Sequence, residues 1–243
     1  MTLNNYPEDE LIAELISSVK GLTNDQIYEV VAEARRKITV FTGQEQQGFF
    51  RDLFERRNEK LEALGCPQAI LKKLSRKKED VLAKTYEMQN GEGSNISFLP
   101  VIPRSYMGIY SLMQMVRIGD NVGWTSLIPQ NFTDVVKTPE EPYYILDVDK
   151  GTEMRGNSSD DAEKIIKSQK RSCLTIDEAI AVGIHNEEVL ANHEILAVGS
   201  LYRDEHELTV PVIYLDESGV RLFFYSHDYA HFRYAYPSCA SRI

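Results

Sequence analysis

The hydrophobic residues of the N-terminal part recur at the three- and four-residue spacing of amphipathic helices. Four such stripes are separated by short breaks that contain glycine or a capping residue. The predicted helices cover residues 7–20, 23–42, 49–64 and 67–89. Because the connections are short, we expect these helices to pack as antiparallel neighbours in a bundle-like arrangement.

A different pattern begins at residue 143, where both faces of an extended run are apolar. Residues 143–148 alternate between two largely apolar faces, which is typical of an interior strand. One helix is predicted over residues 158–169, and the next begins at the capping box of Thr175 and Glu178. This second helix carries one narrow apolar stripe, which we expect to face the core. A short helix over residues 186–192 follows it.

The remaining strands are predicted from short apolar or alternating runs between polar turns. They cover residues 96–102, 124–128, 195–202, 208–215, 220–226 and 232–236. The three runs that begin at residue 195 are typical of an antiparallel meander, in which Pro211 requires an edge or a bulged position. Residues 105–116 fit either a helix or a helix followed by a strand.

Strands that are grouped after helices predict an α+β fold. We expect an N-terminal helical bundle-like part, followed by a mixed, mainly antiparallel sheet with helices packed on it. The clearest break in composition is NGEGSN at residues 90–95. It predicts a four-helix N-terminal region over residues 1–93 and an α+β domain over residues 94–243.

Composition narrows the class of protein. With 243 residues and 42% hydrophobic content, the chain can bury a large core. The formal net charge of −10 argues against general attraction to nucleic acid or an anionic membrane. Neither a signal segment nor an apolar run long enough to span a bilayer is recognisable. The three cysteines are widely spaced and lack any CxxC pair, so we expect reduced thiols in an acidic, cytoplasmic protein.

Several stretches of the C-terminal part resemble a known family. They are YILDVDKG, LTIDEAIAVGIHNEEVL, the Gly199-Ser200 pair, Pro211 and the terminal SCASR. Over residues 96–243 the chain is similar to a bacterial family of uncharacterised domains. The resemblance implies a bacterial protein of unassigned activity, and it carries over no site residue.

Two constellations have the residue types of a metal site. Asp147 and Asp149 end an apolar strand as an Asp-x-Asp pair, the arrangement that holds magnesium in phosphohydrolases. No matching lysine and acidic pair follows, so a strand-end turn is the favoured interpretation. His185, Glu188 and His193 lack the HExxH spacing. We expect His185 to close a helix and His193 to enter a strand, and we predict no metal and no cofactor.

The aromatic tail contains the strongest candidates for chemistry. Seven aromatic residues lie between Phe223 and Tyr236, around His227, Asp228 and His231. A thiol at Cys239 near an imidazole would be a nucleophile, with Asp228 or Asp147 orienting the ring. The predicted catalytic residues are His227, His231, Cys239 and Asp228. The predicted ligand-binding residues are Tyr225, Tyr229, Asp147 and Arg155. The alternative is an aromatic strand pair that completes the core.

A basic run over residues 72–78 follows further basic residues on the preceding helix, with acidic residues interleaved. A solvated or protein-docking face is favoured over a nucleic-acid site.

Two functional classes are consistent with the sequence. The favoured class is a soluble ligand-binding or protein-interaction module, whose partner is a small molecule or a protein. We expect it to bind neither nucleic acid nor membrane, and its oligomeric state is open. The alternative is a hydrolase or transferase that uses Cys239 or a carboxylate with a His227 or His231 base.

Overall fold

The computed structural model describes residues 46–88, 95–204 and 207–243. The chain divides into two compact units, Met1–Asp52 and Leu53–Ile243, and both large sheets belong to the second unit. The first two predicted helices, over 7–20 and 23–42, lie outside the described residues. So does the predicted domain boundary between residues 93 and 94.

The helices and strands alternate irregularly along the chain. The helices within the described residues are α1 (46–63), α2 (Gln68–Ser75), α3 (Lys78–Met88), α4 (Ile109–Met115), α5 (Ser159–Ser168), α6 (Ile176–His185) and α7 (Glu187–Asn192). The strands are β1 (Ile96–Val101), β2 (Arg117–Ile118), β3 (Asn121–Val122), β4 (Phe132–Asp134), β5 (Tyr143–Asp149), β6 (Ser172–Cys173), β7 (Glu194–Leu196), β8 (Ser200–Arg203), β9 (Leu208–Asp216), β10 (Gly219–Tyr225), β11 (Tyr234–Ala235) and β12 (Ser238–Arg242). Short 3-10 turns cover Pro129–Asn131 and Thr152–Met154.

The first sheet has the strand order β1-β5-β12-β6, and all of its pairs are antiparallel. As predicted, β5 is an interior strand, and its two neighbours are β1 and β12. Strand β12 has no counterpart among the predicted strands. Its residues, SCASR, are mostly small or polar, so its position depends on pairing with β5 and β6 instead of on a local apolar pattern.

Helices cover both faces of this first sheet, as the two apolar faces of β5 require. Tyr144 stacks on Phe54 of α1 with ring centroids 5.1 Å apart, and its hydroxyl accepts a hydrogen bond from Asn58 Nδ2 at 2.9 Å. Tyr143 points to the opposite face, where its hydroxyl donates to Glu178 Oε1 of α6 at 2.9 Å. Adjacent residues of one strand thus anchor helices on opposite sides of the sheet.

The second sheet is built around the long strand β9. β10 pairs with one edge of β9, while β7 and β8 pair with successive parts of the other edge. β4 extends the sheet beyond β8, and β11 joins β7 in a parallel pair. The predicted meander is therefore present, with its first strand split in two. Together the sheets and helices form the α+β fold that the sequence predicts.

The split explains how Pro211 occupies a strand that has neighbours on both sides. Pro211 has no N–H to donate, yet its carbonyl accepts from Ala197 N at 2.9 Å. Because Pro211 cannot donate a hydrogen bond to the Ala197 carbonyl, that carbonyl accepts from Ser200 N at 2.9 Å. The partner strand thus turns away at the proline, which is the bulged arrangement.

Helix α6 lies between the two sheets. It packs on β1 of the first sheet and on β7 and β9 of the second. Every residue from Ile176 to Ile184 is buried, including Asp177 and Glu178. The predicted apolar stripe does face the core, but the expectation that it is narrow was wrong, because the other residues of the helix are buried as well. A helix enclosed on all sides buries its whole circumference.

Two further local predictions were wrong. The predicted helix over 67–89 is broken at Arg76 and Lys77. A continuous helix would place Lys78 in the buried stripe between Leu74 and Leu82, whereas the break lets the Lys78 ammonium pair with Glu55. Residues 124–128 form no strand, and Trp124 makes only an isolated bridge to β10. Residues 105–116 resolve into a turn followed by α4.

Across the described residues, no helix combines the length and the apolar character that crossing a bilayer requires.

Candidate functional site

The structure separates the predicted catalytic residues. Cys239 is fully buried in β12, and burial raises the pKa of its thiol to about 12, so the thiol stays protonated near neutral pH. His227 lies at the surface, with Nδ1 3.4 Å from Asp160 Oδ1. The His231 ring packs against Phe232 with centroids 4.4 Å apart. Within the described residues, neither histidine forms a hydrogen bond with Cys239.

The aromatic residues of the tail fill the space between one another. The rings of Tyr225 and Tyr229 both contact Tyr234, with centroids 5.6 and 6.1 Å away. Asp228 accepts a hydrogen bond from Ser226 Oγ at 2.7 Å, within the same turn. Tyr229 is 56% exposed and Phe232 is 70% exposed. The structure therefore brings Tyr225, Tyr229 and His231 into one packed cluster without a catalytic arrangement.

Asp147 already has partners within the protein. Its Oδ1 accepts from Asn95 Nδ2 at 2.7 Å, and its Oδ2 accepts from Arg171 Nη1 at 2.6 Å. These hydrogen bonds lower the pKa of Asp147 even though partial burial opposes them. Arg155, the remaining predicted ligand-binding residue, is exposed after the turn at Thr152–Met154.

Three of the other candidate metal ligands, Asp149, His185 and His193, take part in local structure. Asp149 Oδ1 accepts from Gly151 N at 2.8 Å, which is the predicted strand-end turn. His185 is the last residue of α6, and His193 lies between α7 and β7, as expected. In the described part of the chain, no group of three or more histidine, cysteine and acidic residues is placed to hold a metal ion.

A pocket lies instead beside the first turn of α6, at the point where the two sheets meet this helix. Its volume is about 590 Å³. Its walls come from the turn after β1, the end of β4, the loop before β5 and the start of α6. The lining residues are Pro103, Arg104, Ser105, Tyr106, Asp134, Thr138, Pro139, Glu140, Glu141 and Asp177.

Arg104 joins the three elements at the inner end of this pocket. Its Nη1 and Nη2 donate to the two carboxylate oxygens of Asp134, at 3.2 and 2.9 Å. Its Nη1 and its backbone N–H also donate to Asp177 Oδ2, at 3.2 and 3.0 Å. One guanidinium thereby serves two carboxylates, which leaves one surplus negative charge at the inner end.

Ser200 holds Asp134 from behind. Its hydroxyl donates to Asp134 Oδ1 at 2.5 Å and accepts from Ile176 N at 2.9 Å. Gly199 makes this position reachable, because its N–H donates to the Leu174 carbonyl at 2.8 Å and a Cβ would lie only 2.6 Å from that oxygen. Strand β8, strand β4 and helix α6 are thus tied together directly behind the pocket.

Asp177 is the residue at the inner end with an unused hydrogen-bonding atom. It is only 7% exposed, and its Oδ1 is buried without a hydrogen-bond partner among the described residues. Burial raises the pKa of Asp177 to about 6, although the charge of Arg104 opposes the shift. At neutral pH the carboxylate is therefore mostly ionised. An unsatisfied buried acceptor of this kind costs about 1–3 kcal/mol.

The outer end of the pocket is partly aromatic. The Lys73 ammonium lies 5.7 Å from the centre of the Tyr106 ring and 2.7 Å from Glu141 Oε1. The hydrogen bond and charge of Lys73, together with the charge of Lys77, lower the pKa of the Glu141 carboxyl. Pro103 and Pro139 add apolar surface. The arrangement suits a ligand with a positively charged hydrogen-bond donor and a short apolar body.

Sequence reasoning missed Arg104, Asp134 and Asp177 altogether. They are separated by at least thirty residues and follow no shared spacing. The nearest signal was the capping box, because Asp177 directly precedes Glu178 in the first turn of α6. That position explains a favourable helix terminus but does not indicate which partner the carboxylate meets.

Comparison with known proteins places the chain in a family but assigns no activity. Residues 58–219 match a family that is described only as one of unknown function. The chain belongs to this family, DUF5701. The resemblance to an uncharacterised family is thereby confirmed, although the matched stretch begins in α1 and ends at the first residue of β10. No curated protein and no solved structure matches the chain.

The matched stretch contains every residue that lines the pocket. The predicted residues of the aromatic tail, from Tyr225 to Cys239, lie beyond it.

Proposed function

We propose that this protein is a ligand-binding module, and that the pocket beside α6 takes a small molecule through a positively charged N–H donor. The observation that carries the proposal is Asp177, a pocket-lining acid whose Oδ1 is buried and receives no hydrogen bond from the described residues. A donor that reaches this oxygen removes the cost of leaving it unsatisfied. The polar network behind it is already assembled, and a donor reaches the buried oxygen once a neighbouring side chain of the pocket wall moves aside.

The charge at the inner end favours a cation over an anion. Arg104 already donates to Asp134 and Asp177, so two carboxylates offset its charge before an anionic ligand could meet it. An anion would also face the surplus negative charge of these two carboxylates. A cation neutralises that surplus in a site where water screens it weakly.

The catalytic alternative has less support. Burial keeps the Cys239 thiol protonated, and His227 and His231 lie at or near the surface of a different region. A thiol in this state is a poor nucleophile. Binding therefore accounts for more of the geometry than hydrolysis or group transfer does.

We retain the cytoplasm of a bacterium as the proposed location. Cys66, Cys173 and Cys239 are all buried free thiols, which supports a reducing compartment. The acidic net charge of −10 supports a partner other than nucleic acid.

The test uses butylamine, which is protonated at about pH 8, and its neutral counterpart butanol. Binding is followed by amide NMR of the isotope-labelled protein. We expect saturable shifts around Arg104 and Asp177 with butylamine and none with butanol. D177N should weaken butylamine binding about tenfold or more, because a charged buried hydrogen bond is lost.

The matched control is D120N, which changes an exposed carboxylate outside the pocket. It should leave the affinity for butylamine unchanged. Wild-type affinity should also fall as the pH drops through about 6, since Asp177 then takes up a proton. Equal binding of butanol and butylamine, or full binding by D177N, would overturn the proposal.

A further inference from the structure

We propose that the ligand is a linear diamine or polyamine, whose first ammonium group meets Asp177 and whose second meets Glu140. This inference rests on the proposed function, because it assumes that the inner end binds a cation. It adds the class of molecule, which the inner end alone does not specify.

The inner end has room for one positive charge. Asp134 and Asp177 together carry two negative charges, and Arg104 supplies one positive charge. Asp177 Oδ2 is already occupied by Arg104, so the free position is Oδ1. The Asp177 side chain is only 8% exposed, which distinguishes this acceptor from the acids at the protein surface.

The outer end has a second free carboxylate. Glu140 and Glu141 both line the pocket, but they differ in their partners. Glu141 pairs with Lys73 at 2.7 Å and also lies within the influence of Lys77. In the described part of the chain, Glu140 forms no hydrogen bond or ion pair. Its negative charge is therefore available at the mouth.

The apolar part of the wall suits an alkyl chain. Pro103, Pro139 and Tyr106 line the same pocket as the inner carboxylates and Glu140, and they present apolar surface to it. A methylene chain gains free energy when it leaves water for such a wall, whereas a second charge placed halfway would lose hydration without gaining a partner. The distribution of charge thus favours positive groups at both ends of a flexible apolar body.

The test compares α,ω-diamines from propane to hexane with amino alcohols of the same length, titrated at about pH 8 and low salt. Each pair differs only in whether its second end is charged. A symmetric diamine gains about twofold simply because either end can enter. We expect at least one diamine to bind about fivefold tighter than its amino alcohol, the size of a favourable exposed ion pair.

E140Q should reduce that diamine to within the twofold statistical gain over its amino alcohol, while binding of the amino alcohol itself stays unchanged. E153Q, which removes an exposed carboxylate outside the pocket, should preserve the diamine preference. The preference should also shrink at high salt, because Glu140 is exposed.

The inference is overturned if no diamine exceeds the twofold statistical gain, or if a gain larger than twofold survives E140Q. In either case, binding of the amino alcohols that depends on Asp177 would leave the proposed function standing. Loss of all amine binding in the wild-type protein would overturn both.

Discussion

Asp177 and Glu178 are adjacent acids at the start of a buried helix, and each accepts hydrogen bonds from a different arginine. Asp177 receives Arg104, whereas Glu178 receives Arg242 through Nε at 2.6 Å and Nη2 at 2.8 Å. Glu178 also accepts from Tyr143 and from the backbone of Thr175, so both of its oxygens have donors. The fully satisfied acid is structural, while the partly satisfied one faces the pocket.

Breaking the Glu178–Arg242 pair should strongly destabilise the protein. E178Q leaves the Arg242 charge buried without its counterion, so we expect the free energy of unfolding in urea to fall by about 3–5 kcal/mol. E163Q is the matched control, since it removes a carboxylate whose pair with Lys167 is largely exposed. It should cost less than about 0.5 kcal/mol. Similar losses in the two variants would contradict the assignment of Glu178 as a structural anchor.

Asp177 should make stability depend on pH in an unusual direction. Its pKa in the folded protein, about 6, is higher than the ordinary value of 3.8. The folded state therefore binds this proton more tightly, and the stability that Asp177 contributes is lost as pH rises from about 4 through 6. The difference in unfolding free energy between wild type and D177N should shift against the wild type across this window, by on the order of 3 kcal/mol.

Urea unfolding at a series of pH values measures this difference. D120N should follow the wild-type profile, because Asp120 is exposed. A wild-type curve that runs parallel to the D177N curve would show that Asp177 keeps its ordinary pKa when folded.

At the scale of elements, the local patterns predicted most helices and strands but not how they are enclosed. The capping box at Thr175 and Glu178 and the two-faced strand β5 were recognisable because each depends on neighbouring residues. The full burial of α6 was not, since it depends on two sheets that are formed by distant parts of the chain.

Strand β12 shows the same limit. Nothing in SCASR marks a strand, yet it lies inside the first sheet and supplies Arg242 to Glu178 and Ser238 to Arg171. The pocket was unpredictable for this reason as well. The three charged residues at its inner end come from separate elements that meet only when both sheets pack on α6.

The junction of β8, β4 and α6 should be sensitive to a single methyl group. G199A places a Cβ 2.6 Å from the Leu174 carbonyl oxygen, so the backbone must shift and Ser200 must move from Asp134. We expect a loss of unfolding free energy of about 2 kcal/mol or more. G108A is the control, because its added Cβ would meet nothing within 4 Å.

The same pair of variants also tests the link from this junction to binding. At a temperature where both variants are folded, G199A should bind butylamine more weakly than G108A does, since Asp134 loses its support. Equal stability of the two variants would mean that the close approach at Gly199 relaxes without cost.

At the scale of the whole molecule, α6 is the element that organises both the core and the pocket. It packs on both sheets, and its first turn holds one acid on each side. The polar networks of Arg104 and Arg242 therefore do more than neutralise charge. They fix the start of the helix against the turn after β1 and against β12.

The sequence stretches that resemble a known family contribute contacts around α6. The stretch LTIDEAIAVGIHNEEVL contains both acids of α6, the Gly199-Ser200 pair supports Asp134, and SCASR provides Ser238 and Arg242. These short stretches are distant in the sequence, and the fold assembles them around one helix. These stretches are better explained by the contacts that surround α6 than by a catalytic centre.

The most direct measurement is a crystal structure of the protein soaked with butylamine at about pH 8. The account predicts that the amine occupies the pocket beside α6, with its nitrogen within hydrogen-bond distance of Asp177 Oδ1 and Arg104 still bound to Asp134. An amine bound elsewhere, or an Asp177 Oδ1 that already receives a donor from the protein itself, would contradict it.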